Sequence, residues 1–112
     1  MAVDIQTIGR LETLLRLYQT GYQSATIDQT VAKLTAMEIS RLENELMKLT
    51  ERLKVFEKRY GMSTEDFYQK FRAGELGDEM DFVEWSAFRD MHQHTAERLK
   101  ILTQSEMQTV PE

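Results

Sequence analysis

The sequence predicts an all-α protein: a long central coiled-coil-like helix, flanking helices folded on it as antiparallel helical hairpins, and two copies paired into a dimeric helical bundle. Three observations lead there. Ile39, Leu42, Leu46, Leu49, Leu53, Phe56 and Tyr60 alternate steps of three and four, the heptad rhythm that lines one stripe of a helix. The side chains between them are mostly charged or polar, so the stripe needs another helix to cover it. One proline and five glycines in 112 residues are too few turn formers for an all-β fold of short strands.

The elements follow in order. An N-terminal helix is predicted over residues 1–22, where Ile8, Leu11, Leu15, Tyr18 and Tyr22 repeat the rhythm, Leu14 widens the stripe and Gly21 supplies a stop. Thr26-Ile27-Asp28-Gln29 has the form of a capping box, opening the central helix over 26–60. That helix changes phase. Ile27, Val31 and Leu34 mark an upstream stripe, and the eleven residues from Val31 to Leu42 are not a multiple of seven. A change of packing partner is therefore expected near Thr35 to Glu38, with the N-terminal helix covering the upstream part and another helix the downstream part. Gly61 ends the central helix. Ser63 caps a short helix over 63–74 that carries Phe67, Tyr68 and Phe71. Gly77-Asp78 is a turn. A C-terminal helix over 79–104 holds Phe82 and the stripe Trp85, Phe88, His92, Thr95, Leu99 and Leu102. Residues 105–112 are polar, include Pro111 and form a frayed tail. Residues 1–112 are expected to make one domain.

Composition narrows the function classes. Apolar residues make up 41% of the chain, enough for a modest core and too many for disorder. There is no cysteine, which removes disulfides and thiolate metal sites. No apolar run is long enough to span a bilayer, and the first ten residues have no basic n-region of a secretory signal; the expected location is cytoplasmic, with no membrane partner. Charge is uneven: residues 1–60 carry nine Lys/Arg and eight Asp/Glu, residues 61–112 five and eleven. Glu75, Asp78, Glu79, Asp81 and Glu84 have no base among them. Such a patch repels phosphate, which argues against nucleic acid on this half and suits a basic partner. Acids here also fit a solvated turn before a helix.

Reactive chemistry is sparse. His92 and His94 stand about 200° apart around a helix and cannot chelate one metal. The acids at 75–84 lack the ligand order of a calcium loop. There is no phosphate-binding glycine loop and no nucleophile elbow. The chain is therefore expected to have no catalytic, metal or cofactor site and not to be an enzyme. Two sets of residues remain as candidates for binding. Ile39, Leu42, Leu46, Leu49, Leu53, Phe56 and Tyr60 form a self-association seam. Glu75, Asp78, Glu79, Asp81, Phe82, Trp85 and Phe88 form a partner-binding set, acids for steering and aromatics as anchors. Taken by themselves the aromatics read first as a core that pins the short helix to the last one, and partner anchoring is the sharper alternative.

Tyr60-Gly61-Met62-Ser63-Thr64-Glu65-Asp66-Phe67-Tyr68, then Gly74-Glu75-Leu76-Gly77-Asp78 and Asp81-Phe82-Val83-Glu84-Trp85, with Gly21-Tyr22-Gln23-Ser24 upstream, resemble small helical prokaryotic proteins with YGMS and GELGD-type turn motifs. The likeness covers about residues 20–90. Such proteins are regarded as antitoxins of toxin-antitoxin systems, encoded beside a small toxin. The resemblance implies a non-enzymatic binding protein that neutralises a small basic toxin, such as a ribonuclease, by occlusion, and it brings no catalytic residues. Two alternatives stand beside it: a homo-oligomeric coiled-coil scaffold, and a metal-dependent nucleotide hydrolase on a helical bundle.

Overall fold

The computed structural model describes the backbone of residues 4–107 and the side chains of residues 4–104. Among these are four helices and no strand: α1 (Ile5–Gln19), α2 (Ala25–Tyr60), α3 (Thr64–Arg72) and α4 (Met80–Met107). The protein is all-α. Among the described residues no helix is long and apolar enough to cross a membrane. α4 runs three residues past its predicted end; the rest of the predicted tail, Pro111 included, lies outside the described residues.

Local chemistry sets the helix ends. The Asp4 carboxylate accepts the Gln6 and Thr7 N–H groups at 3.0 and 3.2 Å, filling orphan donors at the start of α1. α2 opens earlier than the predicted capping box. Ser24 Oγ accepts the Ile27 N–H at 3.3 Å, so Ser24 does the capping and Thr26 already lies inside the helix. The reason is Tyr18. Its hydroxyl sits 2.6 Å from the Asp28 carboxylate and accepts the Ser24 N–H at 3.2 Å, which fixes the α1–α2 turn with its cap two residues upstream of Thr26. α3 begins as predicted, with Ser63 Oγ accepting the Asp66 N–H at 3.1 Å. It ends in a Schellman motif, Glu75 N–H to Lys70 C=O at 3.0 Å and Gly74 N–H to Phe71 C=O at 3.1 Å, with Gly74 at φ +77°.

The chain divides into two compact units, Met1–Leu34 and Thr35–Glu112. The division falls inside α2, where the apolar stripe changes phase. The second unit has a core of Leu53, Phe56, Phe67 and Trp85, with Tyr60, Met62, Tyr68, Phe71, Leu76, Phe82 and Phe88 packed against it. Leu42 and Leu49 are buried as well. From Leu53 to Tyr60 the predicted self-association seam is corrected, since these side chains pack inside the chain itself. Phe56 stacks on Trp85 at 5.6 Å and meets Phe88 at 6.3 Å, and Tyr60 meets Phe82 at 5.2 Å. α4 of the same chain packs on this stretch. Ile39 and Leu46 are half-buried.

The first unit differs. α1 buries no residue; only Tyr18 is half-buried, while Ile8, Leu11, Leu14, Leu15 and Leu17 are exposed, as are Val31 and Leu34 of α2. α1 was expected to cover the upstream stripe of the central helix, and it does not. The ties between the two helices in this unit are polar and sit at the turn, through Tyr18, Ser24 and Asp28. They fix the turn without seating one stripe on the other.

Candidate functional site

The second unit is organised around one hydrogen-bonded chain that joins three helices. Trp85 Nε1 donates to Thr64 Oγ1 at 3.0 Å, and Thr64 donates to Glu57 Oε2 through both its hydroxyl and its backbone N–H, each at 2.8 Å. Glu57 belongs to α2, Thr64 opens α3 and Trp85 lies on α4. Trp85 and Phe67 are 0% exposed, their rings 3.9 Å apart and nearly parallel at 4°. An indole can be buried completely only when its N–H finds an acceptor inside, and Thr64 is that acceptor. Among the described residues no buried side-chain polar atom lacks a partner.

The predicted partner-binding set is therefore split. Trp85 is corrected from surface anchor to core. Phe82 and Phe88 are half-buried and pack on Tyr60, Phe67 and Phe56. Asp81 is engaged inside the unit. It accepts from the Tyr60 hydroxyl at 2.6 Å and from Arg59 at 2.8 Å. The Tyr60 hydrogen bond first, and Arg59 second, hold its carboxyl below the ordinary value of 3.8. The same bond raises the Tyr60 phenol above 10.0. Glu75, Asp78 and Glu79 stay exposed, as does Glu84. Beside them stand two apolar residues that sequence reasoning missed, Met80 at 71% and Val83 at 48% exposure. The signal was available: on a helix Met80 and Val83 sit roughly 140° and 160° from Trp85, on the face turned away from the core stripe.

A groove of about 550 Å³ lies in the same unit, with Lys54 and Glu57 of α2, Glu65 of α3 and Arg89 and His92 of α4 on its walls. Arg89, Glu65 and Glu57 on its walls are engaged. Arg89 lies 3.9 Å over the Tyr68 ring and 3.5 Å from Glu65, and Glu57 holds Thr64. His92 Nε2 is 3.0 Å from Thr50 Oγ1, whose hydrogen goes to the Leu46 carbonyl at 2.9 Å. The imidazole nitrogen must then donate, which ties α4 to α2. His94 is exposed. Among the described residues no three His, Asp or Glu side chains converge as a metal-ligand set.

This geometry can hold helices together, and it leaves Met80 and Val83 exposed on a stretch of chain that also carries the exposed acids Glu75, Asp78, Glu79 and Glu84. No known protein family, curated protein or solved structure gives a significant match to the chain.

Proposed function

We propose that the chain is a non-enzymatic protein-binding module, an antitoxin-like partner that occludes a small basic toxin. One observation carries the reading: Met80 and Val83 are exposed among Glu75, Asp78, Glu79 and Glu84, and no Lys or Arg occurs from residue 73 to 88. An apolar centre with a charged rim is the anatomy of a protein interface. Acids of one sign steer a basic partner and raise its association rate. The aromatic residues contribute indirectly, by making a rigid base for the turn that carries the acids. The hydrolase alternative would need converging carboxylates and gains no support from this arrangement.

The test is co-expression with the protein encoded beside this one. Co-purification is expected, weakening as salt rises. Replacing Asp78, Glu79 and Glu84 with their amides should slow association, and Met80→Ala with Val83→Ala should weaken binding about tenfold. A neighbouring product that is harmless without this chain, or a complex indifferent to both sets of changes, would overturn the reading.

A further inference from the structure

The first unit carries an apolar face that stays wet in a single chain. Ile5, Leu11 and Leu15 are 80%, 59% and 58% exposed, and Ile8, Leu14 and Tyr22 are exposed with them. On α1 these side chains keep the three-four rhythm, and Leu14 makes the stripe wider than a two-helix seam requires. The polar faces are sparsely charged. Residues 1–34 hold Arg10, Arg16 and Lys33 against Asp4, Glu12 and Asp28, so the unit has no net charge.

We infer that this face is a homodimerisation surface, closed by the same face of a second copy of the chain. Two arguments select that occupant. The first is area. Ile5, Ile8, Leu11, Leu14 and Leu15 on α1, with Tyr22 in the turn after it, expose on the order of 600 Å² per chain, so a face-to-face pair removes roughly 1,200 Å², which reaches the size of a stable specific interface. The second is charge. A neutral face meets no repulsion from its own copy, whereas a strongly charged partner would find no complementary field here. The width of the stripe favours a bundle in which α1 and the start of α2 from each copy share one core. This self-association uses different residues from the Ile39–Tyr60 seam. It is also independent of the acidic patch, so either can fail without the other.

Sedimentation and light scattering on the full chain test it. The expected mass is twice the 13.2 kDa of one chain. Leu11→Glu with Leu15→Glu should return it to one chain while the emission of Trp85, the single tryptophan, stays that of a buried indole. Ile101→Glu, an exposed apolar position on α4, should leave the dimer intact. A wild-type mass of one chain across the micromolar range overturns the inference. So does a dimer that survives the double substitution with Trp85 unchanged. If that double variant disturbs Trp85, Leu11→Ala decides: at least a tenfold weaker dimer is expected, and an unchanged one is contrary.

Discussion

At the scale of single residues, Thr64 carries more than its size suggests. Its hydroxyl is both the acceptor for the buried Trp85 N–H and a donor to Glu57. Thr64→Val keeps the shape and strands the indole N–H inside the core. A stranded buried donor costs about 1–3 kcal/mol, so urea unfolding followed by Trp85 fluorescence should show a loss of that size. Thr64→Ser, which keeps the hydroxyl, should lose less than half as much. The role of Trp85 was not legible from its neighbours in sequence. An aromatic residue among acids fits a core first, yet the same residue also fits a surface anchor. What decided it was an acceptor supplied 21 residues away on another helix, and no local pattern encodes that distance. Ser63 was legible because a cap acts within its own first turn.

At the scale of elements, the stops and the inter-helix ties make separate predictions. Gly74 ends α3 at φ +77°, and a Cβ built there meets nothing within 4 Å. The cost of Gly74→Ala is therefore backbone strain alone, about 1 kcal/mol, visible as a lower thermal midpoint. The tie between α2 and α4 through Asp81 sets a pH window. Asp81 titrates below its ordinary 3.8 in the folded chain. Its contribution is present above that value and is lost as pH falls through the depressed one. Tyr60 titrates above 10.0 when folded; its contribution is present below that value and is lost as pH rises through the raised one. Asp81→Asn removes both, so the variant's urea midpoint should change less than the wild type's on acidification and on alkalinisation. Equal slopes would show that the tie contributes nothing. Helix order and glycine stops could be read from the sequence because they are local. The capping box at Thr26 could not, since the Tyr18 hydroxyl drew the start of α2 upstream.

At the scale of the whole molecule, the phase change between Val31 and Leu42, read as a change of packing partner, coincides with the place where the chain divides. It could not foretell what covers each stripe. Periodicity shows that a face must be covered and says nothing of the element that covers it. Below Leu49 the answer is α4; for α1 the same chain supplies none among the described residues. This difference predicts two regimes of hydrogen exchange. In the second unit, opening a helix exposes Phe67, Trp85 and their neighbours, so the amides around Leu53–Phe56 and Trp85 should be strongly protected at every protein concentration. α1 is 15 residues long and buries nothing. A helix of that length is marginal in water by itself, so its amides should exchange quickly in dilute solution and slow progressively as concentration rises and copies pair. Protection of α1 that is high and independent of concentration, measured on a single-chain species, would require a source of order other than self-association. Protection that stays low at every concentration would leave the apolar stripe of α1 for a different protein to cover.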